Sequence, residues 1–525
     1  MRRAEGAKAA GVGAITVAVL ACGGTGVTPP IRIALLEVVE PRRDAPAASP
    51  PRLLPLEGED FLAEVVRWNS AMYAPPPSAF RTGSNDPAEQ PLPAAVVDRS
   101  RNGYRVWLGG SPIPTPTYHK GAIIVSSGLS GREVLSIEAK TGRVSWQREL
   151  ADNGASTVAC EGGLCALTTE SCTLYSMKAD TGEPVWSHII GPSVNSSPAI
   201  GGGLVFVGFP PYGEGDDSPE HVALAAFDLA TGELRWSRWI DDDVVSAPVF
   251  VDGTLYATTW SGALYAFDAS TGAILAARKA RATSAPIVAG GRLFYSKRAD
   301  EPAPLPDGRW REAIVRVRSD AAQPSESLGE KRANYSAPFG FGPPVAIDPP
   351  TALQMPPDED PLAPSRTAPS PTPPIGPEWD PDLVGPNHWG FEGSRVLAMG
   401  DEIIAVMGDE IVGAPRRGGG VSWRTSLAGN RFLGGARGSP PIAAGTSVLV
   451  STYAGDIVRI DPTSGAIQAT YAAGAELSGQ PIAIDGWIYV GTWTGELVAI
   501  DTGDPTLTGW STWGGDARRS GVASR

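Results

Sequence analysis

The feature that most limits what this chain can fold into is a turn that recurs. Thr141-Gly142, Thr181-Gly182, Thr231-Gly232 and Thr271-Gly272 close the same phrase in LSIEAKTGRVSWQREL, LYSMKADTGEPVWSHII, LAAFDLATGELRWSRWI and LYAFDASTGAILAARKA. The copies recur at about 40 to 50 residues, the period of a unit that cannot bury its apolar face alone and must stack on its neighbours. A divergent copy, IVRIDPTSGAIQATY, follows at 457–471, and LVAIDTGDPTLTGW closes the series.

Each phrase has an upstream half, as in SSPAIGGGLVFVG, SAPVFVDGTLYATTWSG and SGQPIAIDGWIYVGTWTG. In these a two-residue turn such as Asp252-Gly253 or Asp485-Gly486 reverses the chain into a β-branched and aromatic run, the mark of a hairpin. Two strands upstream, a third ending at Asp-x-x-Thr-Gly and a fourth carrying Trp make one four-stranded antiparallel blade. Units begin near residues 112, 157, 197, 247, 285, 394, 439 and 480. The expected fold is therefore an all-β propeller of eight such blades, with seven as the alternative count. YRVWLGG at 104–110 reads as a fourth strand that completes the last blade, so that both chain ends seal the ring.

The turn has its own chemistry. Asp180, Asp228 and Asp268 read as carboxylates accepting backbone N–H groups, and Gly182, Gly232 and Gly272 as the left-handed residues that other side chains resist. Trp146, Trp186 and Trp236, four residues past Gly142, Gly182 and Gly232, read as wedges against a neighbouring blade.

The N-terminus carries a different message. After the basic MRRAEGAK comes AAGVGAITVAVLA, apolar but too short to span a bilayer, which reads as a signal peptide over 1–21. Cys22, directly after Ala21, matches the position of a lipidated cysteine, although Leu20 is bulkier than such sites prefer. Residues 22–103 read as a lipid-anchored flexible tether with one short amphipathic helix near 60–72. Blades 1–5 are expected over 104–342. A Pro-rich insertion follows at 343–386, with 15 prolines, and blades 6–8 with a C-terminal tail occupy 387–525. In an exported chain disulfides persist. The Gly162-Gly163 turn sets Cys160 opposite Cys165, the preferred pair, which leaves Cys172 free.

Several functions are disfavoured. A net charge of −14 and the lack of a basic stripe argue against a nucleic-acid partner. Four scattered histidines suggest neither a zinc site nor a catalytic triad, and the acidic loops at 213–221 and 240–245 lack the EF-hand register. No catalytic residue and no metal ligand is assigned.

The repeats resemble the PQQ-like β-propeller superfamily through AxDxxTGxxxW, as in Ala266 to Gly272 and Ala226 to Trp236. The C-terminal GWSTWGGDARRSG is similar to the WxxxxGDxxRTG phrase found beside such propellers. The likeness runs closest to the non-catalytic lipoprotein branch, similar to the propeller subunit of the outer-membrane β-barrel assembly machinery. It implies a monomeric scaffold without cofactor, held in the cell envelope at the outer membrane or in the periplasm, with an envelope protein or polymer as partner. The enzyme branch, quinoprotein oxidoreductases, implies PQQ and calcium in the central channel with an Asp base, and is one alternative reading. A polysaccharide-binding propeller is another.

Overall fold

The computed structural model describes residues 60–70, short strands between 81 and 100, most of 102–298, the strands 311–318 and 326–332, and most of 395–522. Cys22, Cys172, the signal peptide, the Pro-rich insertion and the loop 213–221 lie outside the described residues.

Eight antiparallel sheets form the body, seven of them built on four strands in sequence order. The innermost strands are Thr117–His119, Ala159–Glu161, Ala199–Gly201, Val249–Val251, Ile287–Ala289, Leu397–Met399, Ile442–Ala444 and Ile482–Ile484. They start within a few residues of the repeats read from the sequence, because each follows its Ser-Pro-type phrase directly. Their short apolar runs alternate between the two faces of a blade, so each blade packs both neighbours and the core is continuous from sheet to sheet. The strand Gly103–Trp107 pairs with Glu496–Asp501 and completes blade 8, closing the ring with both ends of the chain.

The stretch expected as a flexible tether is more than that. Arg81–Thr82 pairs with the outer strand of blade 2, Ala88–Glu89 with that of blade 1, and Val97–Ser100 with Gly103–Trp107 of blade 8. A blade's outer edge presents unpaired backbone groups, and the N-terminal segment supplies partners for three of them. Helix α1 (Asp60–Trp68) covers the next two blades. Its Phe61, Val65 and Trp68 are buried against Trp236, Tyr265 and Phe267, at the helical spacing seen in the sequence. Asn69 then behaves as a strand in miniature. Its Nδ2 donates to Trp239 O at 3.0 Å, and its Oδ1 accepts from Trp239 N at 2.7 Å. No helix among the described residues is long and apolar enough to cross a membrane.

The C-terminal tail also departs from expectation, because it lines the inside of the ring. The innermost strands have no further strand of their own blade on the inner side, and the tail meets them there in turn. Thr508 O accepts from Gly445 N in blade 7, Trp510 O from Ala483 N in blade 8, and Ser511 O from Tyr118 N in blade 1. Thr512 Oγ1 meets Thr117 Oγ1 and Val158 O, at blades 1 and 2. Ala517 O accepts from Ile200 N in blade 3, and Arg518 O from Phe250 N in blade 4. Gly521 packs on Ile287 of blade 5, and Val522 bridges Ala398 of blade 6. One chain end therefore encircles the propeller from inside while the other girdles part of it from outside.

Candidate functional site

The seams between blades carry the repeat's conserved geometry within this chain. Trp146 Nε1 donates to Ala179 O at 3.1 Å, Trp186 to Leu229 O at 2.8 Å, Trp236 to Ala269 O at 2.8 Å and Trp423 to Pro462 O at 2.9 Å. In each case the acceptor lies three residues before the turn glycine of the next blade. The indole rests on that glycine: a Cβ on Gly182 or Gly272 would stand 2.5 Å from the Trp ring. Gly182, Gly232 and Gly272 have φ of +65°, +75° and +67°, so both backbone and neighbour exclude a side chain there.

A second contact, not read from the sequence, sits two residues beyond each Trp. Arg148 Nε and Arg238 Nε donate to the carbonyls of Gly182 (3.2 Å) and Gly272 (2.7 Å), and Thr425 Oγ1 donates to Gly465 O. His188 Nε2 lies 2.6 Å from Gly232 O, and since a carbonyl only accepts, that nitrogen carries the proton. Burial pushes the His188 pKa down, which keeps the ring neutral. The signal was present as Trp-x-Arg/His, but its meaning needs the neighbouring blade.

The turn carboxylates hold with one correction. Asp228 Oδ1 accepts from Ala230 N and Thr231 N, and Asp268 Oδ1 from Ser270 N and Thr271 N. The Arg235 guanidinium, then these amides, hold Asp228 down at about 2. Asp180 is different. It lies two residues before its glycine where Asp228 and Asp268 lie four, and it is exposed. Lys178 occupies the equivalent position and pairs with Glu183 at 2.6 Å. Cys160 and Cys165 face each other across their hairpin and are joined by a disulfide, with Cα atoms 4.0 Å apart.

At the centre, two buried arginines fasten the inner tail. Arg519, itself left-handed at φ +59°, donates through Nε to Pro198 O, through Nη1 to Trp513 O and through Nη2 to Thr157 O, tying blades 2 and 3 to the tail. Arg395 stacks over the Trp513 ring at 4.0 Å. A quinone with calcium would need this space, a carboxylate set and an Asp base. Here the tail's backbone lines the inside of the ring, bonded to the innermost strands.

The loop at 240–245, weighed for a cation, is already engaged. Asp241 is buried, accepts from Tyr265 Oη at 2.9 Å and Thr259 Oγ1 at 2.9 Å, and pairs with Lys279. Lys279 Nζ also lies 4.5 Å over the Phe61 ring of α1.

The closing seam differs from the wedged ones. Tyr104 stands where Trp stands elsewhere; its hydroxyl reaches Ala139 O at 2.7 Å, the equivalent carbonyl, and its ring lies on Gly142. Tyr489 Oη donates to the same carbonyl at 3.0 Å. Beside this pair opens a cleft of about 340 Å³, lined by Tyr118, Glu138, Lys140, Thr141, Asp485 and Tyr489 among others. The seam from blade 4 to blade 5, where Ala276 replaces Trp, has a cleft of about 20 Å³. Both openings lie where the indole wedge is missing.

A family model described as outer membrane protein assembly factor BamB matches residues 68–306 and 388–518. Outer membrane protein assembly factor BamB of Yersinia pestis is 26% identical over 183 residues, which cover 32% of this chain and 44% of that protein. The chain thus spans less than half the length of this relative. Among solved structures, BamB of Moraxella catarrhalis has a TM-score of 0.47 at 14% identity, covering 77% of this chain and 97% of that one. Quinohemoprotein alcohol dehydrogenase of Comamonas testosteroni has a TM-score of 0.48 at 13% identity, covering 77% and 76%.

Proposed function

Because the chain belongs to the PQQ-repeat propeller family of outer membrane protein assembly factor BamB, we propose that it is a non-catalytic scaffold of the cell envelope that binds another protein. The observation that carries this reading is the C-terminal tail that lines the inside of the ring. In an enzyme of this fold the channel is where a cofactor must sit, and here the chain's own residues 508–522 use it to satisfy the inner strand edges. What remains for recognition is the outer surface of the ring, loops on a rigid support.

In this proposal Cys22 carries the lipid, residues 23–59 lead to the propeller, and the protein acts as a monomer at the outer membrane. Affinity purification from detergent-solubilised envelopes tests the function. One envelope protein in stoichiometric amount, with no quinone absorbance, is expected. A bound quinone that an alcohol or sugar reduces would overturn the reading. Labelling with radioactive palmitate tests the anchor, since Cys22→Ser should abolish label and release the protein from the membrane fraction.

A further inference from the structure

The cleft at the closing seam remains unexplained by a scaffold role, and its chemistry is specific. Its volume, about 340 Å³, falls within the range of small-molecule sites. It lies at the seam where Tyr104, in place of an indole, reaches the equivalent carbonyl of Ala139.

The lining selects among ligand classes. Tyr489 is buried with its hydroxyl spent on Ala139 O, and half-exposed Tyr118 supplies the cleft's accessible aromatic ring. Glu138 is engaged by Arg143 and by Thr141 Oγ1. Lys140 on one side and Asp485 on the other present a donor and an acceptor of opposite charge. An anion would meet Asp485 and Glu138, and a cation would meet Lys140. A purely apolar ligand would strip water from these groups without replacing it. A neutral ring bearing several hydroxyls answers all of them, with hydroxyls to Lys140 and Asp485 and a C–H face to Tyr118. The backbone of Asp485 sits in a left-handed turn at φ +49°, followed by Gly486, whose N donates to Leu507 O at 2.9 Å.

We propose that the cleft between blades 8 and 1, lined by Tyr118, Lys140, Asp485 and Tyr489, is a binding site for a short neutral saccharide. The site goes beyond the scaffold reading and does not depend on it. Titration calorimetry and saturation-transfer NMR with maltose and with N,N′-diacetylchitobiose, using gluconate as the charged counterpart, test it on the whole protein. At least one neutral disaccharide should bind saturably, and gluconate should not. Tyr118→Ala and Asp485→Asn should each weaken binding by about tenfold, near 1.4 kcal/mol. Asn tolerates the left-handed turn, so Asp485→Asn keeps the test valid if Tyr118→Ala fails to fold. Ile467→Ser, on an exposed strand of blade 7, should bind as the wild type does. The proposal is overturned if neither disaccharide binds up to roughly 10 mM, if gluconate binds equally well, or if Asp485→Asn leaves affinity unchanged. A protein captured from envelopes with no saccharide binding would sink this site and leave the scaffold standing.

Discussion

The seam from blade 3 to blade 4 and the seam from blade 8 to blade 1 solve one packing problem in two ways. At the first, Trp236 fills the gap, lies on Gly272 and donates to Ala269 O, while Arg238 clasps the same turn. At the second, Tyr104 and Tyr489 share Ala139 O, no cation clasps Gly142 from position 106, which is Val, and a cleft stays open. The closing seam is held from inside instead, because Trp510 and Ser511 bond to both of its innermost strands. A wedge is a local device and depends on two residues. The tail is a global one and depends on the ring being closed.

The comparison breaks most sharply if the tail is removed. Deleting residues 509–525 takes away acceptors for four inner-strand amides and the buried Trp510 and Trp513. The expected loss is on the order of 5 kcal/mol or more in urea unfolding, with hydrogen exchange rising first in blades 8 and 1. An unchanged midpoint would show the tail to be incidental.

Trp236→Ala should cost about 3 to 5 kcal/mol by the same measurement, since it removes a buried indole and its hydrogen bond together. Gly272→Ala comes next, at about 3 kcal/mol, because a Cβ meets Trp236 at 2.5 Å and φ is +67°. Gly503→Ala has a similar φ of +70° but nothing within 4 Å, so it should lose only about 1 kcal/mol of backbone strain. Equal losses at the two glycines would refute the wedge. Tyr104→Phe is the mildest structural change, about 1 kcal/mol, because Tyr489 still donates to Ala139 O.

Acid titration reads the buried carboxyls beside α1. Burial, with Asp241 and Asp243 close by, pushes Asp242 up to about 7 from an ordinary 3.8. Burial likewise raises Glu64 of α1, whose side chain is packed beneath the helix with Oε2 unpartnered among the described residues. A carboxyl whose folded pKa is raised contributes stability that is complete below its unfolded value and declines as pH rises through the folded one. Stability near α1 and blades 3 and 4 should therefore fall between about pH 4 and 7, as read by local hydrogen exchange. Asp242→Asn should flatten that decline, and a slope unaltered by the substitution would assign it elsewhere.

Much of this molecule was written in one dimension. Blade count, hairpins, the turn glycines, the three Trp positions and the Cys160 and Cys165 opposition all follow from short-range patterns, because each concerns residues adjacent in chain or across a two-residue turn. The error at Asp180 came from the same source: similar letters near Thr-Gly were equated two positions out of register. Parts of the ends gave no such signal. The strands at 81–82 and 88–89 have no distinctive pattern, since what holds them is backbone pairing to blades 40 or more residues away.

The sequence by itself determined the repeating unit, and with it the blade and the fold, because a period of strands and turns is set by local propensity and by faces that need neighbours. Only the tertiary structure decided which edges the two chain ends cover and that residues 508–522 line the inside of the ring. It alone put an opening at the seam where Tyr104 takes the place of Trp. These depend on which blades meet when the ring closes, since Arg81–Thr82 pairs with Ile189 and His188 and the tail bonds to blades hundreds of residues before it, relations no local pattern encodes.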